Sequence, residues 1–401
     1  MRTLTRRGVW LLTATLAGLP AGRGDELAAR LEPFVGETLD LVELGTGRRF
    51  VRPTLDKVVA KEGQTTALRL RPEGAKAPVS LAVSGIVKIV AGRETIHAAE
   101  PAGKAAGRRP QAAYEQKLAA ARERMAERGV RPWPTLSAAD HAAEVTRLEQ
   151  FVAEVREVFP ALREQRTHEF ILATDIPAEQ MAPYVASLDA MHDFLCDLYG
   201  IPRGEPVWKG RCLVVAFLRE QDFQAFEARF MKVRMQAAHG LCHQSSDGRV
   251  IMACHRGDDP AAFAHMLVHE TSHGFNHRWM SPERLPNWLN EGIAEWVAAK
   301  VVPGSDQVPL KEAQALDFMQ RTGTLGPEFL TRQNIDAVQY GMASSMVKFM
   351  ASRDLKKFAA FVQGIKEGLP VDESLRQTFR LSLDDLVKAY GKAVGVPNLR
   401  P

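Results

Sequence analysis

Asp259-Pro260-Ala261-Ala262-Phe263-Ala264-His265-Met266-Leu267-Val268-His269-Glu270-Thr271-Ser272-His273-Gly274 joins a helix signature to two histidines four residues apart. Asp259 is a side-chain acceptor suited to cap a helix, and Pro260 fits the first helical position. The apolar-periodic run Ala261 to Leu267 continues the helix, which Gly274 is expected to end. His269 and His273 then project from one helix face. With Glu270 they make the H-E-x-x-H pattern, in which two imidazoles can share one zinc ion.

A catalytic zinc takes about three protein ligands and keeps another position open for water, which sends the search for a third ligand downstream. Asn290-Glu291-Gly292-Ile293-Ala294-Glu295 supplies it. Leu285-Pro286-Asn287-Trp288 reads as the start of a second helix, on which Glu291 and Glu295 share a face. One carboxylate can bind the metal. The other can accept the free N–H of a ligand histidine, fixing its tautomer and raising its basicity, and Glu295 is assigned that role. The metzincin alternative requires a third histidine where this chain has Trp279, and is excluded. Trp288 and Trp296 read as packing beneath the second helix.

Taken together, His269 to His273 and Asn290 to Glu295 resemble the gluzincin zinc peptidases, the group that includes thermolysin and the zinc aminopeptidases. Leu285 to Gly292 is similar to the peptidase MA-like bacterial proteins. The likeness spans His168 to about Met350, with strong motifs only between His269 and Trp296. It implies His269, His273 and Glu291 as ligands of one zinc ion, Glu270 as general base and Glu295 as the acidic partner of a ligand histidine. The 17 residues between His273 and Glu291 are slightly fewer than in thermolysin or the aminopeptidases, a departure that touches the loop rather than the ligands. Tyr340, in Gln339-Tyr340-Gly341-Met342-Ala343-Ser344-Ser345, resembles the tyrosine that assists the oxyanion in zinc aminopeptidases. An amphipathic tyrosine at a helix start explains the residue equally well. No counterpart of the aminopeptidase G-x-M-x-N signature precedes His269, which favours an endopeptidase. In the implied reaction Glu270 takes a proton from a water activated by zinc and passes it to the leaving amine of the peptide.

At 401 residues, 45% of them apolar and 25% charged, the chain is globular and long enough for one large core or several smaller ones. Short apolar runs such as Leu39 to Val42 and Val79 to Val90, punctuated by Gly and Pro, predict a small β domain over 25–105. Residues 106–135 read as a helical linker, with a helix from Gln111 to Arg128 and a break at Pro132-Trp133-Pro134. Over 136–300, helical periodicity in Ala138 to Phe159 and Ala178 to Tyr199 alternates with strand-like runs at His168 to Thr174 and Cys212 to Leu218. Asp247-Gly248 marks a hairpin. The pattern over 301–401 is almost wholly helical. The fold class expected is therefore α+β. The resemblance makes 136–300 a zincin-like catalytic domain, followed by a helical C-terminal subdomain and separated from it by a cleft suited to an extended peptide or protein substrate.

Arg2, Arg6 and Arg7, the apolar run Val9 to Leu19 and the small residues around Pro20 follow the order of a secretory signal, expected over residues 1–24. Thr5 to Val9 also resembles a twin-arginine signal. The run is shorter than the roughly 20 residues that cross a bilayer, and no later one reaches that length. Export to the periplasm, cell surface or medium is expected, without stable membrane insertion. Cleavage after Gly24 would remove four arginines and no acid, cancelling the formal charge of +4, and nucleic acid is not an implied partner.

Other features have plainer readings. His265 and His277 continue the four-residue spacing, but a helical turn of about 5.4 Å separates His265 from the pair. Solvent-exposed or supporting roles are expected for both. Cys242, His243, Cys254, His255 and His239 flank the hairpin and could form a second zinc site, yet they lack C-x-x-C spacing. A Cys242 to Cys254 disulfide is the preferred reading for an exported chain. The rival function is a catalytically silent zinc-containing binding or surface-attachment protein. Glu270 speaks against it, because a structural zinc needs no general base.

Overall fold

A computed structural model describes residues 23–44, 49–61, 64–72, 78–83, 86–91, 94–98, 108–234, 238–302 and 304–401. The chain divides between Arg108 and Arg109 into two compact units. The expected signal segment lies outside the described residues, except for Arg23 and Gly24, which open the first helix.

In the first unit, α1 (Arg23–Leu31) buries Leu27 and Leu31, one turn apart, against a set of short strands. Strands β1 (Leu41–Leu44), β2 (Arg49–Val51), β6 (Ile86–Ala91) and β7 (Glu94–Ala98) form an antiparallel sheet in the order β2-β1-β6-β7. Strands β3 (Thr54–Lys61), β4 (Gln64–Arg71) and β5 (Val79–Ala82) form a second antiparallel sheet. Along β4, Leu68 and Leu70 are buried while Arg69 and Arg71 are exposed, the alternation of a strand with one wet face.

The second unit is built on a five-stranded sheet in the order β11-β12-β10-β9-β8. Its central strands β9 (Phe170–Thr174), β10 (Cys212–Phe217) and β12 (Val250–His255) are parallel. The edge strands β8 (Arg163–Arg166) and β11 (Gly240–Gln244) run antiparallel to their neighbours. Being covered on both faces, β9 and β10 have every residue buried and are apolar throughout except for Thr174. Ile171, Ala173, Leu213 and Val215 meet α3 (Ala138–Val158) and α5 (Glu220–Phe226) on one side. Phe170, Leu172, Val214 and Met252 join the core that holds α4 (Ala178–Tyr199), α6 (Pro260–Arg278) and α7 (Asn287–Val301). Helices α8 (Gln307–Thr322), α9 (Ala337–Arg353), α10 (Leu355–Lys366), α11 (Val371–Phe379) and α12 (Leu383–Ala393) complete the unit. Their buried residues continue that same core to Leu399, so 301–401 shares its packing with the sheet half. The molecule is thus mixed α+β, and no helix among the described residues is long and apolar enough to cross a membrane.

Several expectations are corrected. The helix expected over Gln111 to Arg128 is present as α2 (Arg108–Glu127), but from Arg109 onward it belongs to the second unit rather than to a linker. Gln111 Nε2 donates to Glu205 Oε2 (2.8 Å), and Arg124 makes a two-pronged pair with Glu367 at 2.7 Å. Beyond it, Trp133 donates from its backbone N to Met280 O (2.9 Å) and from Nε1 to His277 O (3.0 Å), tying the segment to the end of α6. Gly274 does not end α6, which runs on to Arg278. It is the point where the helix crosses the hairpin, because a Cβ there would lie 2.6 Å from Val250 Cγ1 and 3.0 Å from Cys242 Sγ. Asp247-Gly248 does turn the hairpin between β11 and β12, with Gly248 at φ +86°. Its register, however, sets Cys242 opposite Met252 and Cys254 opposite Gly240. All four cysteines are free thiols, so the Cys242 to Cys254 bridge is not formed.

Candidate metal centre

The Asp259 side chain accepts from the backbone N–H groups of Ala261 (2.8 Å) and Ala262 (3.1 Å), and Pro260 occupies the first helical position of α6. Once started, the helix buries His269 and His273 side by side, at 7% and 8% exposure. Helix α7 starts after Pro286 and brings Glu291 against them. Glu291 Oε2 is 3.2 Å from Nε2 of each histidine, and the two Nε2 atoms are 3.1 Å apart. Donors bound about 2.0–2.1 Å from a tetrahedral ion stand roughly 3.3 Å from one another. The three atoms are therefore spaced as ligands of one ion, and these buried groups could hold a metal.

The charges agree with that spacing. Burial would raise the Glu291 carboxyl, but His269 and His273 hold it well below the usual carboxylate range. Burial would likewise lower the His273 imidazole, yet Glu291 above all, with Glu270 and Asn290, raises it to about 9. Without a cation the cluster is a proton trap, and a metal ion must displace that proton to bind.

Behind His269, Glu295 is 1% exposed. Its Oε1 is 3.4 Å from His269 Nδ1 and its Oε2 3.2 Å from His265 Nε2. Burial would raise this carboxyl, but His265, His269 and Lys311 bring it down to about 2. His265 is thus buried and faces Glu295 rather than solvent. His265, His269 and Glu295 make a second cluster of ligand-type atoms. Lys311 Nζ, 2.5 Å from Glu295 Oε1, already supplies positive charge there. His277, on the last turn of α6, lies 3.2 Å from the Ser245 carbonyl through its Nε2. Lys311 was not singled out from the sequence, because a lysine on an amphipathic helix resembles any solvated one.

Glu270 and Tyr340 line a cavity of about 500 Å³ together with His269, Glu295 and Lys311. The Tyr340 ring centroid is 6.3 Å from that of His269. Burial, then the carboxylates of Glu291, Glu270 and Glu295, push its hydroxyl up to about 12, so it stays a proton donor at neutral pH. A second cavity of about 520 Å³ is lined by His273, Asn290, Cys242 and His243. The edge strand β11 connects them, since His239, just before it, lines the first cavity and Cys242 to Gln244 line the second. No second metal cluster with a cysteine occurs among the described residues. His243 is instead 2.9 Å from the buried Glu227 carboxylate, and the His239 and His255 rings lie 4.8 Å apart. Trp288 and Trp296 are buried in the core.

Comparison of the chain with protein-family models and with curated proteins finds no match in either.

Proposed function

We propose that the chain is an exported zinc-dependent endopeptidase with a zincin-like catalytic half, its metal held by His269, His273 and Glu291. The observation that carries this reading is the triangle of ligand atoms at 3.1–3.2 Å, with Glu270 on the same helix facing a cavity of substrate size. Two imidazoles and one carboxylate form a donor set that suits zinc in a catalytic site. A zinc ion held by His269, His273 and Glu291 would supply Lewis acidity to a scissile carbonyl and to an attacking water. Glu270 accepts the proton of that water and delivers it to the departing amine. The Tyr340 hydroxyl donates to the oxyanion that develops on the carbonyl. An extended peptide can add to the exposed edge of β11, passing from one cavity to the other across the metal triangle. Glu295 Oε1, 3.4 Å from His269 Nδ1, is the carboxylate that would favour the proton on Nδ1 and leave Nε2 bare for a metal.

The test is removal and return of the metal. Protein stripped with a chelator is expected to lose cleavage of a mixed peptide pool and regain it with about one equivalent of zinc per chain. Cleavage that survives complete stripping would refute the reading.

A further inference from the structure

Glu295 has a third partner beyond the two histidines that face it. Its Oε1 is shared between His269 Nδ1 at 3.4 Å and the Lys311 ammonium at 2.5 Å. Lys311 comes from α8, which carries none of the three proposed ligands. Its backbone is fixed by α9, because a Cβ on Gly341 would collide with the Lys311 carbonyl, and only glycine permits that approach. The same ammonium lies 5.5 Å from the ring centroid of Tyr340. One side chain thus touches the carboxylate behind His269 and the phenol ring beside it.

A buried carboxylate keeps a defined position only when charge and hydrogen bonds compensate it. If Glu295 turned away, His269 Nδ1 would lose the carboxylate that stands 3.4 Å from it and favours a proton there, and the ring could carry its proton on Nε2, where no metal can bind. We propose that Lys311 is a positioning residue of the metal centre, holding Glu295 so that His269 presents a bare Nε2, and setting the ring of Tyr340 over the cavity. The inference rests on the metal reading above and adds a residue on which the affinity of that centre depends.

Zinc affinity of the full chain, measured by competition with a chromophoric chelator, tests it without any substrate. Lys311→Met is expected to weaken zinc binding by about 10- to 100-fold, as loss of a supporting partner typically does, with Lys311→Arg restoring most of it. Thermal melts of the metal-free proteins separate this from general damage. In a Glu295→Gln background, Lys311→Met should add little, since the lysine acts through that carboxylate. Lys311→Gln gives the same comparison if the methionine variant does not fold. Undiminished zinc affinity in Lys311→Met, or an undiminished cost on top of Glu295→Gln, would overturn the proposal. A parent that takes up no zinc would instead remove the metal reading, and this proposal with it.

Discussion

The ring of Tyr340 lines the same cavity as His269 and Glu270, and the high pKa of its hydroxyl keeps the proton on it through the neutral range. Tyr340→Phe removes that donor and leaves the ring packed against Lys311. Loss of one such donor typically costs about 10²- to 10³-fold in kcat, so a loss in that range with KM little changed is expected from steady-state kinetics on a defined peptide. An unchanged kcat would return Tyr340 to the plainer role of a half-buried packing residue. At this scale the sequence was informative where chemistry and spacing coincide. Histidines four apart must share a helix face, and a glutamate pair four apart must offer two carboxylates to one neighbourhood. Lys311 escaped notice, and the partner of His265 was not foreseen, because both depend on Glu295 meeting them from another helix, which no local spacing encodes.

Between elements, the loop joining α6 and α7 is pinned from α10. Lys366 is 1% exposed and donates from Nζ to the carbonyls of Ser281 (2.5 Å) and Glu283 (2.7 Å). Burial lowers its pKa from 10.5 to about 7, with the nearby Glu283 opposing and Arg278 assisting. Between those values the unfolded chain holds a proton that the folded one has released. The Lys366 contribution to stability therefore grows as pH rises from about 7 toward 10.5, and declines as pH falls through that window. Denaturant melts of the parent and of Lys366→Met across the window should differ by a pH-dependent amount, approaching about 1.4 kcal/mol per pH unit. A difference that stays flat with pH would contradict this. Helices α6 and α7 were legible because each begins with a proline next to a cap or turn. The end of α6 was misread because Gly274 serves a close approach to Val250 and Cys242, not a helix stop. Helix α2 was foreseen, but its place in the second unit was not, because its lysines and arginines outnumber the thin buried stripe formed by Ala121 and Met125.

On the scale of the molecule, the α+β class followed from alternating helix and strand periodicities, and the small β unit from its short punctuated runs. The single core linking the sheet half to α8 through α12 was not legible, because contacts between segments more than a hundred residues apart leave no periodic trace. That shared core matters for the chemistry. It carries α8 and α9, and with them Lys311 and Tyr340, up to the helices that bear the histidines and Glu291. A Cβ on Gly292 of α7 would strike the Ala343 carbonyl of α9, so this packing sets how near Tyr340 approaches the metal triangle. We propose that this arrangement hydrolyses peptides with Glu270 as the base. It is tested most directly by incubating a diverse peptide mixture with the zinc-loaded parent and with Glu270→Ala, after verifying equal zinc content, and identifying the products by mass spectrometry. Cleavage by the parent that disappears in Glu270→Ala is the predicted result. Failure of both to cleave while both hold zinc would contradict the account and favour a zinc-containing binding protein.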